Sequence, residues 1–129
     1  MNKKIVLDAS ALLALLNQEK GFERVESVLS NALMSSVNYS ETLAVLNQIG
    51  MPEEEARELT HAIIHDIIPF DTQQAHKAAI LRKKTQPYGL SLGDRACLAL
   101  AEQLKADVLT ADKVWAKLAL DTINIEIIR

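Results

Sequence analysis

The sequence predicts an α/β protein, with a mainly parallel central sheet and helices on both faces. Three observations lead there. Short apolar runs alternate along the chain with longer stretches of helical periodicity. Helices come in pairs between strands, and parallel neighbours need such long connections. The first run, Ile5-Val6-Leu7, has no polar alternation, as suits a strand buried on both faces. With 129 residues the chain is read as one domain over 1–129, long enough to bury a core.

The elements follow in order. Residues 3–7 read as a short buried strand and 9–18 as a helix rich in Leu and Ala. A second helix is expected over 22–32, where Phe22, Val25, Val28 and Leu29 fall near helical spacing, and a strand over 33–37. Asn38 offers an N-cap for a helix over 39–49, stopped by Gly50. Pro52 at a first helical position and Glu53-Glu54-Glu55 at the positive dipole end start a helix that reaches about Ile64. Residues 66–70 form a strand that Pro69 confines to a short or edge position. Asp71 caps a helix over 72–85, and after the loop Gln86-Pro87-Tyr88-Gly89 Ser91 caps a long apolar helix over 92–104. Residues 107–110 are a strand and 112–118 a short helix. The last strand, 123–128, sets Ile123, Ile125 and Ile127 on a buried face and Asn124, Glu126 and Ile128 on the other.

Composition excludes several classes. Apolar residues are 49% and charged residues 24% of the chain, an ordinary globular profile that argues against disorder. No apolar stretch approaches the ~20 residues that span a bilayer. The start, Met1-Asn2-Lys3-Lys4, runs straight into Ile5-Val6-Leu7-Asp8, and an acid so early argues against a signal peptide. A single cysteine, Cys97, excludes an internal disulfide and suits a reducing cytosol, so a cytoplasmic protein without membrane contact is expected. The net charge of −3 sets fourteen Lys and Arg against seventeen Asp and Glu. Without Asp8, Glu41, Asp94 and Asp112 the acids number thirteen and the balance is +1, so net charge neither supports nor rejects a polyanionic substrate.

Those four acids carry the functional reading. Asp8 ends the first strand, Asp112 closely follows Val108-Leu109-Thr110, and Glu41 and Asp94 each lie three residues after a helix cap. In an alternating strand–helix fold, strand C-termini and the helix N-termini after them share one edge of the sheet. Carboxylates gathered there repel one another unless a cation sits between them. Hard oxygen donors without paired His or Cys select Mg²⁺ or Mn²⁺ over zinc. Such an ion polarises a phosphoryl oxygen and acidifies a water, while a carboxylate serves as general base. Ser10 and Thr110 stand two residues from Asp8 and Asp112 and can add neutral oxygens. Taken singly, each acid is equally explained as a helix cap, and both Asn38-Tyr39-Ser40-Glu41 and Ser91-Leu92-Gly93-Asp94 have the spacing of a capping box.

Four strings in order, Val6-Leu7-Asp8-Ala9-Ser10-Ala11-Leu12, Ser36-Val37-Asn38-Tyr39-Ser40-Glu41, residues 89–101 (Gly-Leu-Ser-Leu-Gly-Asp-Arg-Ala-Cys-Leu-Ala-Leu-Ala) and Leu109-Thr110-Ala111-Asp112-Lys113-Val114-Trp115, together resemble the PIN-domain nucleases. The resemblance spans nearly the whole chain and is nearest to the small VapC-like toxins of bacterial toxin–antitoxin pairs. It implies that Asp8, Glu41, Asp94 and Asp112 are catalytic acids holding Mg²⁺ or Mn²⁺, with Ser10 and Thr110 as accessory hydroxyls. It further implies an endoribonuclease acting on RNA, restrained by a cognate antitoxin and built as a homodimer. Some relatives carry a fifth acid shortly after the fourth, where Trp115 and Ala116 stand in this chain.

Other residues invite weaker readings. His61 and His65 have i, i+4 spacing, without the intervening Glu or a third ligand that a zinc site needs. Arg95, next to Asp94, can meet a phosphate or pair with a neighbouring acid, and Lys113 similarly, whereas Arg82-Lys83-Lys84 reads first as a solvated helix end. The five aromatics, Phe22, Tyr39, Phe70, Tyr88 and Trp115, are too few for an extended base-stacking platform. Cys97 and Trp115 read as packing residues. Apolar stripes on 21–32 and 52–64 suit either a partner surface or the core. Two other classes remain: a phosphoacceptor domain using Asp8, which lacks a second Asp at position 10, and a binding module whose acids are only caps. Within the nucleases, single-stranded DNA is the alternative substrate.

Overall fold

A computed structural model describes residues 3–129; Met1 and Asn2, the head of the segment read as unlike a signal peptide, lie outside the described residues. Five strands make one sheet: β1 (Ile5–Leu7), β2 (Ala32–Ser35), β3 (Asp66–Ile68), β4 (Asp107–Thr110) and β5 (Ile125–Ile127). Their spatial order is β3-β2-β1-β4-β5 and every pairing is parallel. The helices are α1 (Ala9–Leu16), α2 (Phe22–Ser27), α3 (Ser36–Gln48), α4 (Glu53–Ile63), α5 (Thr72–Thr85) and α6 (Leu92–Leu104). The chain winds outward from β1 through β2 to β3, then returns to lay β4 on the free side of β1. The order therefore reverses between β1 and β4, the position at which open α/β sheets bind ligands beyond their strand C-termini.

Side-chain alternation along the central strands divides the core into two layers. Ile5, Leu7, Met34 and Leu109 pack with Leu12, Ala14, Val25 and Ile64 on one face. Val6, Leu33 and Val108 pack with Leu81, Cys97, Leu98, Leu100 and Trp115 on the other. Burial on both faces is why these strands are continuously apolar. None of the helices among the described residues is long and apolar enough to cross a membrane.

Most expected elements are present, with shifts that have local causes. β1 begins at Ile5, because Lys3 and Lys4 are exposed and Lys3 pairs with Asp107 at 2.7 Å. α1 stops at Leu16, and Gln18 takes a positive φ of 51°. The single helix expected over 22–32 is not formed: α2 ends at Ser27, a 3-10 turn covers Leu29–Asn31, and Ala32 already opens β2 opposite Ile5. α4 starts after Pro52, not on it. β3 is a short edge strand, as Pro69 required. The caps Asp71 and Ser91 hold, as does Gly50, which follows α3 with φ of 103°. The short helix over 112–118 is a 3-10 turn, Lys113–Lys117. Ile128, read as facing out, is buried against the α1–α2 layer.

The shift that matters most is in α3. Asn38 is not its cap. Ser35, the last residue of β2, caps the helix by accepting from the Val37 amide at 3.2 Å, so α3 starts three residues earlier than expected. Asn38 and Glu41 consequently lie inside the helix and form no capping box.

Candidate functional site

Asp8 emerges from β1 directly opposite Thr110, because Leu7 is in register with Leu109. Its carboxylate caps α1 as expected, accepting from the Ala11 amide at 2.8 Å. It does more than cap. Ser10 Oγ donates to the same oxygen at 2.7 Å, and Thr110 Oγ1 donates to the other at 2.6 Å. Both hydroxyls are themselves oriented: the Ala111 amide donates to Ser10 Oγ at 2.9 Å and the Asp112 amide to Thr110 Oγ1 at 3.1 Å. Five residues thus tie the C-terminal ends of β1 and β4 together. Asp8 is only 4% exposed. Burial raises its pKa to about 6, against the three hydrogen bonds, which favour the anion, while the negative charge of Asp94 adds to the rise.

Asp112 is exposed and caps the 3-10 turn, accepting from the Val114 amide at 3.1 Å. Asp94 is half-buried in the first turn of α6, in a reciprocal capping box. Its carboxylate accepts from the Ser91 amide at 2.9 Å and its own amide donates to Ser91 Oγ at 3.2 Å. Burial raises the Asp94 pKa; the Ser91 bonds oppose the rise, the Asp112 charge reinforces it, and the Arg95 charge lowers it.

Glu41 reaches the same region from the second turn of α3. Asn38 Nδ2 donates to Glu41 Oε1 at 2.9 Å and to the Gly93 carbonyl of α6 at 3.1 Å. Three of the acids, Asp8, Glu41 and Asp94, act on one buried group. Cys97, fully buried beneath them, has its thiol pKa raised well above the ordinary value by burial and then by Asp8, Asp94 and Glu41. Asp8, Asp94 and Asp112 are linked in turn. The sequence presented Asn38 only as a helix cap and Gly93 only as part of a capping-box string, although an Asn inside a helix and a Gly in a first turn both run against helix propensity.

The donor set is carboxylate and hydroxyl oxygen, which fits a hard divalent cation. Among the described residues, no three Asp, Glu, His or Cys side chains lie close enough together to hold an ion as placed. Mg²⁺ commonly takes one or two carboxylates and keeps several waters, so a carboxylate pair is sufficient for it.

Arg95 Nη1 donates to the Ala78 carbonyl of α5 at 2.8 Å, and Nε is enclosed without a partner. His61 bonds Tyr39 Oη at 3.0 Å, and His65 lies past the end of α4, so the two do not share a helix face. Lys113 and Arg82-Lys83-Lys84 are exposed. Trp115 is core beside the site. Of the two apolar stripes, Val25 and Val28 go into the core, as do Ala56 and Ile64.

A family model described as PIN domain matches residues 5–120. Among solved structures, the chain is similar to a DNA-bound VapBC from Salmonella typhimurium, at 18% identity and TM-score 0.74, covering 99% of this chain and 100% of that one. It is also similar to VapC20 from Mycobacterium tuberculosis, described as a sarcin-ricin loop cleaving toxin, at 13% identity and TM-score 0.71, with 94% and 99% covered. A toxin–antitoxin complex from Klebsiella pneumoniae matches at 18% identity and TM-score 0.71, with 93% and 95% covered. At these identities the likeness is one of fold. No curated protein matches the sequence significantly.

Proposed function

The chain belongs to the PIN domain family, and on that premise we propose that it is a Mg²⁺- or Mn²⁺-dependent endoribonuclease, the toxin of a toxin–antitoxin pair. The observation that supports the reading is the joining of Asp8 with Ser10 and Thr110 at the C-terminal ends of β1 and β4, with Glu41 held against Gly93, one residue from Asp94. A bound Mg²⁺ would supply charge neutralisation, polarisation of the scissile phosphoryl oxygen and an acidified water.

The chain's own residues divide the remaining work. Asp8, held by three donors, is the rigid floor of the site, with Ser10 and Thr110 fixing its orientation. Glu41 and Asp94 bring charge from two helices. Asp94 and Asp112 have solvent access, and either can take a proton from an attacking water. RNA is favoured as substrate by the likeness to a toxin described as cleaving the sarcin-ricin loop, and an antitoxin partner by the likeness to a toxin–antitoxin complex. Exposed Val45 on α3 and Ile49 just past its end offer apolar surface to such a partner or to a second copy.

Asp94→Asn is the direct test. Its side-chain carbonyl can still accept from the Ser91 amide, so the expected result is loss of cleavage on total RNA with thermal unfolding near that of the wild type. Undiminished cleavage by the wild type in excess EDTA would reject the metal mechanism, and cleavage of single-stranded DNA alone would reject RNA as substrate.

A further inference from the structure

Resting on that reading, we propose that Asn38 and Gly93 are positioning residues that seat Glu41 on the first turn of α6 and so set its spacing from Asp94. Asn38 is 1% exposed, and both hydrogens of its amide are committed, one to Glu41 and one to the backbone of α6. The opposite amide orientation would turn Oδ1 towards two oxygen acceptors, so the network fixes which atom is nitrogen. The cost is visible on the other side: Asn38 Oδ1 is enclosed and has no partner. A buried amide kept in this state is there for its two donors.

Gly93 completes the seat. A Cβ built at Gly93 would lie 2.2 Å from Glu41 Oε2 and 2.6 Å from its Cδ. No positive φ demands glycine at this position; a side chain there would instead push the Glu41 carboxylate out of its place. The Glu41 carboxylate rests in the place of a missing methyl, one residue from Asp94. One amide thereby holds an acid of α3 and the backbone of α6 together, and the distance between Glu41 and Asp94 does not depend on the exposed surface of either helix.

A double-mutant cycle tests this, with Mn²⁺ affinity by calorimetry and thermal unfolding as readouts beside RNA cleavage. In the wild-type background Gly93→Ala is expected to weaken Mn²⁺ binding about tenfold or more, as loss of support for a ligand does. It should also lower Tm, although Gly→Ala in a helix ordinarily raises stability. In a Glu41→Asp background the shorter acid vacates the space, and the same substitution should leave Mn²⁺ affinity unchanged and raise Tm. Asn38→Asp, nearly the same shape but with the donors removed, should weaken Mn²⁺ binding as Gly93→Ala does.

An equal effect of Gly93→Ala in both backgrounds, or a higher Tm in the first, would overturn the seat. Unaltered Mn²⁺ affinity in a folded Asn38→Asp would overturn the role of the amide. A wild type that binds no Mn²⁺ and cleaves no RNA would remove the proposed function instead, while the Tm cycle would still read the contact between Gly93 and Glu41.

Discussion

A carboxylate as enclosed as Asp8 has given up nearly all its hydration, and three hydrogen bonds recover only part of the loss, so its pKa stands at about 6 against an ordinary 3.8. Between those values the folded protein keeps a proton that the unfolded chain has already released. Rising pH therefore favours unfolding across that window, by about 1.4 kcal/mol per pH unit and on the order of 3 kcal/mol in all. Asp94, also raised, acts in the same direction. In EDTA the Tm of Asp8→Asn relative to wild type should climb from about pH 4 to pH 6 and then level, because the amide has no charge to desolvate. A difference that is constant across the range would show that Asp8 is not a buried acid of this kind. At this scale the sequence was informative about which acids to examine, since Asp8 and Asp112 each follow an apolar run. It was uninformative about Asn38 and Gly93, whose roles exist only once α3 lies against α6.

Helix starts decide how each acid is presented. α6 begins where it was expected because Ser91 and Asp94 satisfy each other's backbone amides within four residues, a signal that needs no tertiary contact. Ser91→Ala should remove one of the two bonds and cost about 1 kcal/mol, or roughly 3–5 °C in Tm. The Ser91 amide still holds the Asp94 carboxylate, so cleavage should persist within a few-fold; loss as complete as in Asp94→Asn would mean that the hydroxyl itself takes part in the reaction. The start of α3 was misread because Ser35 and Asn38 are both good caps. The choice between them is made by the sheet, where β2 pairs with β3 as far as Ser35 and Ile68 and then must turn. The 22–32 segment failed for the same reason: Ala32 is claimed by β2 pairing opposite Ile5, which helical spacing alone does not reveal.

For the molecule as a whole, a cation that binds the folded site and not the unfolded chain must stabilise it. Mn²⁺ at a hundred times its dissociation constant should add about 2.7 kcal/mol to the unfolding free energy of the wild type. The Asp94→Asn protein should show little gain at the same concentration; equal gains would place the ion elsewhere. The overall fold class was legible because alternation of strands and helices is a property of the whole chain and tolerates errors of several residues at each boundary. The strand order was not legible, since nothing local tells β4 to join β1 in place of β3.

That return of β4 to β1 also gives the protein a timetable. The bond between Thr110 and Asp8 joins residues 102 positions apart, so Asp8 leaves the ribosome long before its partner is made. At translation speeds of about 5–20 residues per second, several seconds separate the two. Through that interval α1, α2 and α3 can begin to pack, yet the side of β1 that β4 will occupy stays open. On the proposed function, chains arrested short of β4 should therefore be inert towards RNA, and cleavage should first arise once Thr110 has joined Asp8.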